Sequence, residues 1–510
     1  MIKKFQVYIM SAVVALSSVS CLDKMPEDGI PFDKSLQTVA DVNLAVIGIY
    51  DTFKSKYLYS GNLTLLPDIQ TDLVYGVNGN TNVYGDIWRW VEIKPTNTDI
   101  EGVYGTLYEV INRCNFLLDR VDNVRNKTNN DDDLDKLDMC VGEACFARAL
   151  AYSELVKLFC KAYESDEDAE NELGVILTEH YLGDEPMKRA SLKASYQYIL
   201  DDLDRAVEYL KLKDSFDPDK DGTLYDTIYF NEYTAYALRA RVALYMKKWE
   251  EAIEYSTKVI DSGYYILSSC TQAATSTTRY YKYMWTNDFS TESIWKVGFT
   301  TNSYGGALGQ VFANYDYSTL RPDYVPAEWA VNLYDTNDLR VSTFFQSFTT
   351  GYSHGLSWPL LIKYFGNESF TKYNILHVNM PKVLRLSEQY LIRAEAYAQQ
   401  DQPDYGKAGA DISKLRMARY SSYGGSTAMN KENAMDVIEK ERVKELYMEG
   451  FRLHDLKRWH KGFERKPQSQ SLSNGSSLKV EKDDPLFVWP IPQHELDAPG
   501  SEIEPNESNK

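Results

Sequence analysis

The sequence predicts a mostly α-helical chain, built from paired helices around one large irregular insert. Three observations carry that prediction. Apolar residues recur at threes and fours over long stretches of both halves, the spacing that lines one face of a helix. Several stretches come as two runs of similar length joined by a short turn, as in "YTAYALRARVALYMKKWEEAIEYSTKVIDSGYY". Between Gly263 and Pro381 the period is lost, and Tyr, Thr, Ser, Asn and Gly take over beside Trp285, Trp295, Trp329 and Trp358.

The elements follow in chain order. Lys3 and Lys4 precede an apolar run from about Ile9 to Leu16, too short for the roughly 20 apolar residues of a membrane-spanning helix, and small serines follow. Residues 1–20 read as a secretory signal peptide, leaving 21–510 as one domain. "SVSC" resembles the lipobox of bacterial lipoproteins, with Cys21 as the lipid-bearing residue, although Ser18 stands where a branched apolar residue is usual. A helix pair is read over 39–55 and another over 101–159. In the second pair one helix starts near Glu101 on Val103, Leu107, Val110, Ile111 and Cys114 and the next runs from Leu134 to Leu158; a further helix runs from Tyr196 to Leu210.

Residues 233–246 and 249–262 form the most regular pair. Small alanines at the packing positions and Trp249 opening the second helix make it resemble a tetratricopeptide unit. Residues 385–400 with 405–420, and 431–449 with 452–461, give two more such pairs. One helix pair cannot bury its apolar face alone, so the pairs should stack as a tetratricopeptide-like scaffold over about 39–262 and 385–462. The aromatic-rich insert, about 263–381, then faces the ligand, because loops held by rigid elements carry binding groups. The stretch "DIQTDLVYGVNGNTNVYGDIWRWVEI", residues 68–93, has the same texture as the insert.

Composition narrows the function. The chain carries 55 basic and 74 acidic side chains, a net charge of -19. Loss of residues 1–20 removes two lysines and no acid, so the imbalance grows. Such a chain gains nothing from phosphate backbones or anionic lipid surfaces, which argues against nucleic acid and against electrostatic membrane adhesion. Any tether must be covalent. After Cys21 the cysteines are Cys114, Cys140, Cys145, Cys160 and Cys270, an odd set without a CxxC pair. They make neither a disulfide framework nor a zinc site, and read as small buried core residues.

Three motifs invite chemistry. "GYSHG" matches the G-x-S-x-G of serine hydrolases at Ser353, but those enzymes need a helix directly after the serine and Pro359 opposes one. "DPDKDG" spaces Asp217, Asp219 and Asp221 like the start of a calcium loop; its twelfth position is Ile228 instead of glutamate, so a structural calcium ion and an acidic surface turn both remain open. "ERVKELYMEGFRLHDLKRW" places Arg442 and Glu445, then Arg452 and Asp455, three apart on successive helices. Charges so spaced lock helices together more often than they bind a ligand. No metalloprotease, P-loop or dinucleotide motif occurs, so the sequence gives enzyme action no support and no cofactor is required.

With these features the chain resembles the SusD/RagB family of outer-membrane nutrient-binding lipoproteins. "GEACFARALAYSELVKLF" is similar to the family's first-half helix, "ALRARVALYMKKWEEAIEYSTKVIDSGYYIL" to its central unit, and "RLSEQYLIRAEAYAQ" with "EKERVKELYMEGFRLHDLKRW" to its C-terminal units. "WPIPQHEL" resembles the closing Pro-Ile-Pro element, whereas "DAPGSEIEPNESNK" departs from the usual asparagine-rich tail. The resemblance implies a lipid on Cys21, a place on the cell surface at the outer membrane, and a role as the lid of a SusC-like TonB-dependent β-barrel transporter. It implies no catalysis. Relatives bind oligosaccharides or oligopeptides, and "LGVILTEHYL" and "VPAEWAVNLYDTNDLR" look closer to the RagB branch, which implies peptides first. A glycan-only binder, or a periplasmic adaptor built on tetratricopeptide-like pairs, are the alternatives. By the same resemblance the ligand lies between two regions, contributing Asp72, Tyr75, Asn78, Trp88 and Trp90, and Asn302, Tyr304, Asn314, Tyr315 and Arg321.

Overall fold

The computed structural model describes residues 35–510 except 92, 184–186, 214–215, 218–219, 221, 317–318, 352–356 and 467–476. Residues 1–20, Cys21, Ser353, Asp219 and Asp221 therefore lie outside the described residues.

Helices start where a polar side chain takes the free amide groups of the first turn. Thr38 and Asp41 form a reciprocal cap on α1 (Val39–Thr52). The short α2 (Asn62–Ile69) is buried along its whole length. Asn97 accepts from Asp99 and Ile100 at the start of α3 (Thr98–Leu118), and Asn130 from Asp133 at the start of α4 (Asp131–Phe159). Ser191 caps α5 (Leu192–Tyr209), and Asn231 with Thr234 caps α6 (Glu232–Tyr245). The polar first turn of α4 is exposed, but every side chain from Val141 to Phe159 is buried, so this is the central helix, flanked by α3 and α5.

The expected pairs follow. α6 packs on α7 (Trp249–Asp261), and both fall within one residue of their expected bounds. α8 (Leu386–Gln399) packs on α9 (Tyr405–Arg419) and on α10 (Ala434–Glu445), which leads into α11 (Arg452–Arg458). α7 also packs directly on α8, although the whole insert lies between them in sequence. The stack therefore runs on unbroken while the insert loops out, as the loss of helical period predicts.

Short strands organise the insert: β1 (Val74–Gly76), β2 (Ser293–Lys296), β3 (Tyr324–Pro326), β4 (Phe345–Thr349), β5 (Ser357–Leu361) and β6 (Lys382–Arg385). β2 and β6 pair antiparallel and close its base. β4 and β5 form a hairpin, so a strand follows the Ser353 motif where a hydrolase needs a helix. β1 pairs antiparallel with β3 and joins the 68–93 stretch to the insert. One apolar cluster gathers Leu65, Tyr75, Trp88, Trp285, Phe312, Tyr324, Phe344, Tyr364 and Tyr447, so the two stretches of like texture share a core.

The seam between insert and scaffold is ionic. Arg340 bonds Asp338 at 2.6 Å, Glu441 at 2.7 Å and Glu445 at 3.0 Å. Arg419 bonds Glu292 at 2.8 Å and Glu445 at 2.9 Å, and Lys363 bonds Glu449 at 2.6 Å. Taking such ions out of water costs several kcal/mol each and is offset only when each charge finds its partners, as here. The C-terminal string corrects the expected local pairing. Arg442 reaches across to Asp455 at 2.8 Å, while Glu445 serves three arginines from elsewhere. Arg452 bonds Asp72 at 3.0 Å and Glu439 at 2.7 Å. These charges face inward, where the counter-charges come from other elements. They do lock helices together.

All five described cysteines are buried and unpaired with one another.

Candidate functional site

The ten expected contacts separate by burial. Trp88 is fully buried; its indole N–H donates to Val74 O at 3.2 Å and its ring lies under the Arg465 guanidinium at 4.6 Å. Burial lowers the pKa of Arg465 to about 10. Tyr75 is buried in the same cluster, with its hydroxyl accepting from Lys466 N at 2.9 Å, and Asp72 is committed to Arg452. Trp90 is half-buried against Phe463 and Phe487 and donates to Gln70 O. The structure gives these four a different place from the one expected: their rings and charges hold the loop base together. The side chain of Tyr315 lies outside the described residues.

Asn78, Asn302, Tyr304 and Arg321 are exposed, and Asn314 is half-exposed. The fold gathers three of them. Asp323 accepts from Thr81 N at 2.6 Å and from Thr81 Oγ1 at 3.0 Å, and its carbonyl accepts from Val77 N at 2.9 Å. This pins the Asn78 loop beside Arg321, whose own N–H donates to Asn314 O at 2.7 Å. Burial raises the pKa of Asp323, and the two Thr81 bonds oppose that shift.

A row of rings continues from there. Leu320 bridges Thr350, the residue after β4, and on that strand Phe348 stacks with Phe365 at 6.2 Å between centroids. Phe365 meets the edge of His377 at 5.7 Å, and His377 O accepts from Gly309 N at 3.2 Å. Tyr304, 45% exposed, lies against Phe370 at 6.5 Å, and Tyr373 nearby is 70% exposed. His377 is buried beneath this surface, and that burial lowers its pKa, so it is neutral at pH 7. Tyr304 and Asn302 are among the residues expected from the sequence, and Phe348, Phe365 and Tyr373 are not. An aperiodic segment gives no pattern that separates exposed rings from core rings.

Exposed ring faces beside carboxamides and a guanidinium suit a ligand that alternates apolar faces with hydrogen-bonding groups. Among the described residues no group of three or more His, Cys, Asp or Glu could hold a metal ion. Asp217, the described member of the acidic loop, pairs with Lys220 at 2.7 Å.

The wider comparisons agree with this architecture. Residues 22–244 match a family model described as starch-binding and associating with the outer membrane, and residues 327–501 match the SusD family model. No curated protein matches. A SusD superfamily protein from Bacteroides thetaiotaomicron is 25% identical with a TM-score of 0.76, covering 92% of this chain and 99% of its own. A putative sugar binding protein from Bacteroides vulgatus shares the fold at 23% identity and a TM-score of 0.74, covering 93% of this chain and 100% of its own. A laminarin binding SusD-like protein shares it at 20% identity and a TM-score of 0.66, covering 92% and 99%. With the helix-pair scaffold, the looped-out insert and family models at both ends, the chain belongs to the SusD family.

Proposed function

We propose that this protein captures oligosaccharides at the cell surface, anchored to the outer membrane through lipid on Cys21, and passes them to a SusC-like TonB-dependent barrel for which it forms the lid. The exposed rings of Tyr304, Phe365 and Tyr373, with half-buried Phe348 stacked on Phe365, carry the reading. Ring faces stack on the apolar faces of sugar rings, while Asn78, Asn314 and Arg321 offer bonds to hydroxyls. Relatives whose names specify sugar or laminarin binding support the same class of ligand. Oligopeptides, implied first by the RagB-like strings, would bond mainly through backbone amides and have less use for a row of rings. The test is calorimetric titration of the purified protein with soluble glucans, other plant and host glycans, and a tryptic peptide mixture. Saturable glycan binding lost on substitution of Tyr304 or Phe365 supports the proposal. Binding of peptides alone overturns it.

A further inference from the structure

Two cavities adjoin on the helical scaffold, and no residue of the insert lines either. One, of about 310 Å³, is lined by Leu244, Trp249, Met435 and Trp459, with Glu395 and Gln399 among others. The other, of about 730 Å³, is lined by Glu250, Glu251, Gln400, Asp401 and Gln402 among others. Lys247 and Trp249 line both, so the two form one site with Trp249 between its halves. The first half has the size and the mainly apolar walls of a small-ligand pocket, and the second supplies polar groups.

Trp249 opens α7 and is half-buried on the apolar cluster of Leu244, Ile392 and Ala396. Among the described residues no ring or cation stacks on its indole, and its N–H has no acceptor. Trp459 forms a fixed wall: its N–H donates to Glu395 at 2.7 Å, and the Arg458 guanidinium lies 4.5 Å from its ring, with Lys461 at 5.7 Å. An indole with nothing stacked on it suits a ligand that brings an apolar ring face. In the polar half, the side chains of Glu250, Gln400, Asp401 and Gln402 have no hydrogen bond or ion pair among the described residues. Carboxylates accept, and carboxamides both donate and accept, so together they match hydroxyl groups, each of which does both. Lys247 and Lys248 are already paired with Glu164 and Asp166, which leaves little here for an anionic ligand. An apolar peptide side chain would leave the polar half unused.

We propose that these adjoining cavities form a second carbohydrate site, with one sugar ring seated on Trp249 beside Trp459 and the next bonded by Glu250, Gln400, Asp401 and Gln402. The class of ligand rests on the oligosaccharide reading of the insert; the position of the site stands apart from it. A chain with two such sites holds a long glycan at two points, so its affinity grows with the length of the glycan.

Crystals of the full mature chain, soaked in turn with glucose, a β-1,3-glucan hexasaccharide and an α-1,4-glucan hexasaccharide, test this. Sugar density against Trp249 supports the proposal. Density at Tyr304 and Phe365 alone overturns it and leaves the insert site standing. Density against Trp249 alone supports it and overturns the insert site, and density at neither place overturns both. In native gels containing the polymer of whichever sugar binds, Trp249→Ala in a Tyr304→Ala background should weaken retention roughly fivefold in apparent Kd. Asp401→Ala with Gln402→Ala, at exposed positions, should weaken it without moving the melting temperature, which keeps the test where the Trp249 variant fails to fold. Retention unchanged in these variants overturns the proposal.

Discussion

Arg385 and Glu445 meet at 2.9 Å with both side chains essentially excluded from solvent. Arg385 ends the strand that closes the insert, and Glu445 ends α10 of the scaffold. The same arginine bonds Glu292 at 2.7 Å and Glu449 at 2.8 Å, and the same glutamate bonds Arg340 and Arg419. The insert is thus fixed by direction-dependent bonds as well as by apolar contact. Ring faces on the insert keep their position relative to the scaffold because few other arrangements would satisfy these charges.

Glu445→Gln should therefore destabilise strongly. It leaves three buried guanidinium groups short of one charge, and breaking a buried pair in this way costs about 3–5 kcal/mol. Urea unfolding followed by circular dichroism measures it. A loss below about 1 kcal/mol would mean the network relaxes and the insert is held by its apolar core alone.

Much of this was legible in the sequence. The pairs built on Ala240, Ala252 and Ala396 could be placed closely, because small packing residues recur at helical spacing and the turns between them are short. Which rings of the loops stand exposed was much less legible. Trp88 and Tyr304 sit in equally polar, aperiodic text, yet one fills the core beneath Arg465 and the other stands in solvent. Which ring is covered depends on partners hundreds of residues away, such as Arg465 and the β1–β3 pairing, and no local pattern records those. The charges of the C-terminal string failed for the same reason. Their spacing suggested Arg442 with Glu445, but partners from Asp72 to Arg419 outcompete the local ones.

Stability should fall between about pH 4 and pH 8 in part because of Glu143. Burial pushes this carboxyl up to about 7, against the pull of the Tyr50 hydroxyl, which bonds it at 2.7 Å. A raised carboxylate pKa favours folding fully below the unfolded value near 4.3, and the benefit is lost as pH rises through about 7. Glu143→Gln stays neutral, so relative to the parent it should gain roughly 3 kcal/mol between pH 4 and pH 8. Asp68, fully buried and also raised to about 7 by burial, contributes in the same direction. Equal urea midpoint shifts for parent and variant across that range would refute the assignment.

Acid should unfold the protein through the opposite set. Burial alone would raise Glu441, but Arg340, Lys444 and Arg416 hold it down to about 2. A depressed carboxylate contributes stability above the unfolded value near 4.3 and loses it as pH falls toward 2. Glu441→Gln should then lose most of its stability at pH 7 and show a flatter decline below pH 4. A decline as steep as the parent's would assign acid unfolding to other groups.

Ligand contacts and loop supports should separate by variant. Tyr304→Ala, Phe365→Ala and Tyr373→Ala touch exposed rings, so each should leave the melting temperature within a degree or two. If the row stacks on sugar, each should weaken binding by roughly 1 kcal/mol, about fivefold in Kd. Trp88→Ala should instead cost about 3–5 kcal/mol of stability, since it empties a core position. A Trp88 variant that folds normally yet loses binding would return that residue to the site.

Thiol titration tests the core and the anchor together. Cys140, Cys145 and Cys270 are pushed up to about 12 by burial, and burial raises Cys114 and Cys160 as well. The thiolate is the reactive form, so a water-soluble thiol reagent at pH 8 should leave the native protein unmodified. Denaturant should release five reactive thiols from protein purified out of native membranes, because a lipid thioether on Cys21 cannot react. Six would mean that Cys21 is unmodified, and the protein would then need some other route to its membrane. Five thiols together with partition into detergent would support a covalent anchor on Cys21, in keeping with an acidic chain that gains nothing from anionic lipid surfaces.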